Sequence, residues 1–109
     1  MQLTRHEDHG ITVLAPHGQI RMGDVSLREA VDDLLNNGTR NILIDLREVT
    51  FIDSFGVGQL IGCYTVVTNQ GGRLILCGLS PRISSILQIT KLNTVFEVYP
   101  SETEAMESF

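Results

Sequence analysis

A chain of 109 residues is read as one domain, residues 1–109, large enough for a hydrophobic core and too small for two. Its 42% hydrophobic content argues against disorder. Its formal net charge of −5 argues against a nucleic-acid binder, which needs a basic patch to displace counterions.

In chain order, Gln2 to His6 reads as a first strand and Asp8-His9-Gly10 as a turn. Ile11 to Pro16 reads as a second strand, ending at Pro16 and Gly18, so the two strands form a hairpin. Apolar residues at Val25, Leu27, Ala30, Val31, Leu34 and Leu35 have helical spacing, and Asn36-Asn37-Gly38 supplies the stop. Asn41 to Leu46 is a near-continuous apolar run suited to a strand buried on both faces. After a short connection, a helix spans Ser54 to Gln70, closed by Gly71-Gly72, and Arg73 to Cys77 is the next buried strand. Pro81 opens a helix through Ile89, Thr94 to Tyr99 is a short strand, and Ser101 caps a terminal helix to Ser108 with Glu102 and Glu104 in its first turn. Strands and helices alternate after the hairpin, which predicts an α/β fold with a mostly parallel sheet and right-handed crossovers.

Cys63 and Cys77 have neither CxxC nor zinc spacing and read as reduced, buried thiols of a cytoplasmic protein. The polar start, Met1 to Gly10, does not resemble a signal peptide, and no apolar run reaches the length of a membrane span, so direct membrane contact is not expected.

Asp53-Ser54 stands where a buried strand gives way to a helix, and both residue types favour a helix start. They are therefore a cap, a functional site, or both. In the helix, Val57, Leu60, Ile61, Tyr64 and Val67 are expected on the apolar face. Ser54, Gly58, Gly62, Thr65 and Asn69 fall on the other side. Gly56, Gly58 and Gly62 each cost a helix interior about 1 kcal/mol relative to alanine. Either tight packing on the sheet or close approach of a partner's backbone can compensate that cost. A phosphate on Ser54 would sit at the positive end of the helix dipole, while Asp53 would repel it. Such a group disturbs the fold little and an interface much.

The run Asp-Leu-x-x-Val-x-Phe-Ile-Asp-Ser-x-Gly-x-Gly, from Asp45 to Gly58, resembles the signature of STAS domains, bacterial anti-sigma-factor antagonists above all. The resemblance continues through Gly71 to Pro81 and, with Gly18-Gln19-Ile20, covers nearly the whole chain. It implies the SpoIIAA-like STAS fold, a single mixed, mostly parallel sheet of four to five strands with about four helices. It also implies partner switching. The unmodified antagonist binds an anti-sigma factor that is itself a serine kinase. The kinase uses ATP and Mg²⁺ to phosphorylate the antagonist, which lets go, and a PP2C-type phosphatase resets it. By this resemblance the acceptor is Ser54, and Asp53 places its hydroxyl. The partner-binding residues are Asp53, Ser54, Phe55, Gly56, Gly58, Gly62 and Arg21. The chain is then a substrate and not an enzyme, with no cofactor or metal of its own, as a monomer or weak dimer. Phe55 departs from the Ser or Thr common after the acceptor, and an Asp-Ser-Phe sequence resembles stressosome scaffold antagonists. Arg21 stands where the family often carries an acid. The alternative function is a docking subunit of a stressosome or of a lipid-transport ABC complex, not switched by phosphorylation.

Other constellations have plain readings. His6, His9 and His17 lie on a hairpin that lacks the helical face of metalloprotease ligands, and read as surface residues. Gly56, Gly58 and Gly62 lack the spacing of a dinucleotide fingerprint, and Ile52 stands where a hydrolase elbow needs glycine. Asp32-Asp33 and Glu102, Glu104 and Glu107 read as solvated helix faces, and Tyr64 as core.

Overall fold

The computed structural model describes all 109 residues. The elements are β1 (Gln2–Asp8), β2 (Ile11–Ile20), α1 (Ser26–Asn36), β3 (Asn41–Asp45), β4 (Val49–Ile52), α2 (Ser54–Asn69), β5 (Arg73–Cys77), α3 (Pro81–Ile89), a 3-10 turn (Leu92–Thr94), β6 (Glu97–Tyr99) and α4 (Glu102–Ser108). The sheet runs β1-β2-β3-β5-β6, with β4 paired to β2 off this path. Only β1 against β2 is antiparallel; the remaining pairs are parallel.

Side chains alternate across the central strands as the period of two requires. Leu14, Ile42, Ile44, Leu74 and Leu76 join one cluster with residues of α1, α2 and α3. Ile11, Val13, Leu43, Ile75 and Cys77 face the other way, under Ala105 of α4. The apolar run of β3 is thus buried on both faces. Tyr64 packs its ring edge-on to Phe96, with centroids 5.4 Å apart, which bears out its reading as core. Cys63 and Cys77 are free and buried, and burial pushes both thiols up to about 12.

The structure corrects the strand count to six. Val49–Ile52, read as a connection, is the strand β4, and β2 does not end at Pro16 but continues to Ile20 to pair with it. The ladder shifts register between Gly18 and Gln19, where Gly18 has φ +94 and its N–H donates to the Glu48 carbonyl oxygen at 3.0 Å. A glycine takes that backbone shape without strain, so β2 bends instead of stopping. Pro16 is tolerated because β2 has already left β3, whose pairing ends at Leu14. At the other end of the chain, Thr94 belongs to the 3-10 turn and β6 begins at Glu97.

Candidate functional site

The tip of α2 is built from its cap. Asp53 is the N-cap, in extended backbone, and its Oδ1 accepts from the Gly56 N–H at 2.9 Å. Its Oδ2 accepts from the Met22 N–H at 3.0 Å, in the turn between β2 and α1. One carboxylate therefore caps the helix and holds a second segment beside it. These two bonds, Gly56 first and then Met22, hold the Asp53 carboxyl below the usual carboxylate range.

Ser54 is the first residue of α2 and is exposed. Phe55, next to it, leaves 38% of its surface to solvent. Ile52, Asp53, Ser54 and Val57 line one side of a shallow cleft of about 310 Å³, with Ile86 of α3 and Thr90 just past its end on the other. Arg21 lies in the turn between β2 and α1, which the Met22 N–H, donating to Asp53, holds at the tip. Arg21 is exposed and forms no ion pair.

The three glycines of α2 separate. Gly56, expected on the partner face, is buried: an added Cβ would run into the Ile20 carbonyl oxygen and lie 2.6 Å from the Ile52 side chain. It is absent a side chain because α2 sits hard against β2 and β4. At Gly62, likewise expected to meet a partner, an added Cβ would lie 2.8 Å from the Arg28 guanidinium of α1, so part of that position is covered from within. Gly58 is exposed, and nothing lies within 4 Å of an added Cβ. Packing thus explains Gly56, and open surface remains at Gly58.

The helix faces also need one correction. Ile61, expected in the core, is 37% exposed, and Cys63 takes its place on the buried face with Val57, Leu60 and Val67. Ile61 lies a turn beyond Gly58, on the stripe that starts at Ser54.

Sequence reasoning passed over Met22, Gln59 and Asp24. Met22 is 77% exposed in the turn that Asp53 holds. Its signal was an apolar side chain amid the turn residues Arg21 and Gly23. Gln59 is a buried polar residue of α2 facing α1. Asp24 accepts from the Ser26 hydroxyl at 2.6 Å and the Ser26 N–H at 3.0 Å, and lies 2.9 Å from the α-amino group of Met1. The Ser26 hydroxyl is the leading cause of its carboxyl being pulled down to about 2.

The histidines lie apart from this tip. His6 stands 3.6 Å from Glu102 of α4, and His9 in the hairpin turn pairs with Asp8. No group of three or more His, Cys, Asp or Glu side chains is gathered as a metal site would need. No helix is long and apolar enough to cross a membrane.

The chain is 31% identical over 72 residues to the anti-sigma-B factor antagonist of Staphylococcus aureus, covering 66% of this chain and 67% of that one. It is 20% identical over 108 residues to the anti-sigma F factor antagonist of Paenibacillus polymyxa, covering 97% and 92%. The fold superposes on unphosphorylated SpoIIAA with TM-score 0.75 at 21% identity, covering 98% and 96% of the two chains. It superposes on an anti-sigma factor antagonist from Mycobacterium paratuberculosis with TM-score 0.87 at 22% identity, covering 98% and 92%. The STAS domain family model matches residues 2–105, and the chain belongs to the STAS domain family.

Proposed function

We propose that this chain is an anti-sigma-factor antagonist of the cytoplasm that works by partner switching, with Ser54 as its phosphate acceptor. One observation carries the reading: an exposed serine begins α2 beside a capping aspartate whose second oxygen holds the neighbouring turn. Two chain segments thus meet around one modifiable hydroxyl. The partner is a serine-kinase anti-sigma factor, which docks over Asp53, Ser54, Phe55, Gly58 and the Arg21 turn. Its γ-phosphoryl transfer from ATP forms the ester at Ser54 Oγ and releases ADP and the hydroxyl proton. A PP2C-type phosphatase hydrolyses the ester and returns serine and inorganic phosphate. This chain supplies no catalytic group to either step.

The phosphate adds about −1.5 to −2 charge at pH 7. At the exposed tip it meets the helix dipole on one side and the Asp53 carboxylate on the other, so the fold feels little net change. A bound partner feels like charge or lost contact, which costs several kcal/mol. Arg21, unpaired beside this tip, favours retention of the phosphate.

A second reading has its own support. Phe55 and Met22 make the rim of the tip apolar, which suits a docking subunit of a stressosome or ABC complex that binds without modification. Incubation with its cognate serine kinase, ATP and Mg²⁺, followed by intact-mass analysis, separates the two. A single phosphoryl adduct that disappears in Ser54→Ala supports the switch. No adduct from a kinase active on another substrate moves the assignment to the docking subunit.

A further inference from the structure

The first turn of α1 is capped from two sides: Asp24, just before it, accepts from the Ser26 N–H, and α2 serves a further N–H from outside the segment. The residue in its N-cap position is Val25, whose side chain accepts nothing. An N-cap side chain ordinarily satisfies the N–H of the second or third helical residue. Here the third, Arg28, donates its N–H at 2.9 Å to the Oε1 of Gln59, on α2. The Nε2 of the same amide donates to the Asp24 carbonyl oxygen at 2.7 Å. Gln59 is 9% exposed, so both ends of its amide are used within the protein. A buried polar side chain in a helix-helix seam is retained against an apolar one only if its bonds are made.

The turn from Met22 to Val25 is therefore held by α2 at two points. Asp53 accepts from the Met22 N–H, and Gln59, two turns further along, donates to the Asp24 carbonyl oxygen. At the first anchor stands Met22 and just beyond the second stands Val25, 77% and 44% exposed. Neither is buried by the fold, and each is fixed only as well as the turn that carries it.

We propose that Gln59 is a positioning residue of the partner-binding face: it locks the β2–α1 turn to α2, so that Met22 is presented in one register beside Ser54 and Phe55. Gln59 itself does not touch the partner. The inference rests on the reading of the α2 tip as a protein-binding face. An apolar residue at position 59 would fill the seam but leave the Asp24 carbonyl and the Arg28 N–H without partners. The turn would then sample other positions, and apparent affinity falls in proportion to the fraction of time that it is correctly placed.

Two measurements on the full chain test this, using Gln59→Leu, and Gln59→Glu as the milder variant, which keeps an acceptor for Arg28 and loses the donor to Asp24. The first is amide hydrogen exchange of the free protein. Exchange at Met22 and Arg28 is expected to quicken about tenfold in the Leu variant, with Ile42 to Ile44 and Leu74 to Leu76 unchanged. The Glu variant quickens Met22 and spares Arg28, and it carries the test should the Leu variant not fold. The second is affinity for the cognate serine-kinase anti-sigma factor, in wild-type and Met22→Ala backgrounds. Loss of Gln59 is expected to weaken binding about tenfold in the first and less than twofold in the second. Unchanged exchange at the turn overturns the proposal. So does an equal loss of affinity in both backgrounds, which marks general destabilisation. Failure of the wild-type chain to bind the kinase instead strikes the functional reading and leaves the exchange result to judge the clamp alone.

Discussion

Three glycines of one helix have three environments, and those of Gly58 and Gly56 predict opposite outcomes. Alanine at Gly58 meets open space and removes the conformational cost of glycine. Gly58→Ala is expected to raise unfolding free energy by up to about 1 kcal/mol in denaturant titration, while weakening partner binding if a partner's backbone rests there. Alanine at Gly56 is driven into the Ile20 carbonyl and the Ile52 side chain. Gly56→Ala is expected to cost about 1–3 kcal/mol in the same titration, the range for forcing extra volume into packed structure. At Arg21, exchange for aspartate reverses the charge beside the tip. Phosphorylated Arg21→Asp is expected to lose its phosphate to the phosphatase faster than the wild type; equal rates would remove Arg21 from the account. Asp53 and Ser54 were legible as a pair because capping is a local chemistry, written within four residues. What the glycines face was not, because Ile20 and Arg28 lie far away in sequence. Gln59 was hidden for the same reason: its partners are 35 and 31 residues off.

At the scale of elements, the α2 tip and the β2–α1 turn form one unit held by carboxylates. The Asp53 and Asp24 carboxyls both titrate below their ordinary values in the folded protein. A depressed folded value stabilises the charged form, so this contribution is complete above the ordinary carboxylate range. It is lost as pH falls through the folded values, toward about 2 for Asp24. Amide signals of Met22, Ser26 and Gly56 are therefore expected to shift in an acid titration below about pH 4, ahead of signals from the central strands. Asp53→Ala should abolish the response of Met22 and Gly56 and leave that of Ser26. Helices α1 and α2 were legible from apolar spacing and stop residues, and α3 from the proline that opens it. Strand β4 was not. Its four residues are buried at the two ends and open between, without the alternation that marks a strand, and its partner is the part of β2 beyond a proline and a glycine. A proline and a glycine together read as an ending; in this sheet they mark a bend.

Across the whole molecule, two cores share one sheet. The larger lies under α1, α2 and α3, and the smaller under α4 alone. The smaller core depends on how α4 is held. Arg73 binds both oxygens of Glu97 at 2.9 and 2.6 Å, donates to the Ser108 carbonyl at 2.6 Å, and lies 5.3 Å from the Phe109 ring. The cysteines report on both cores. Burial keeps Cys63 and Cys77 protonated in the folded chain up to about 12, against an ordinary 9.0. A raised folded value means stability is full below pH 9 and declines above it, as unfolded thiols ionise and folded ones do not. Denaturant midpoints are expected to fall between pH 9 and 11, with thiol labelling rising in step with unfolding. The layering of this molecule was legible in the uninterrupted apolar runs of β3 and β5, since only a sheet covered on both faces has use for them. The division of helices, three on one face and one on the other, depends on long-range packing that no local pattern records.

The central claim is that a charge added at Ser54 Oγ releases a bound protein while the scaffold stays as it was. Calorimetric titration of the serine-kinase anti-sigma factor with unmodified and Ser54-phosphorylated chain, alongside thermal unfolding of both, tests it directly. Affinity is expected to be lower by about a hundredfold in the phosphorylated chain, with melting temperatures within a few degrees. Equal affinities, or a phosphorylated chain that no longer melts as a folded domain, would contradict it.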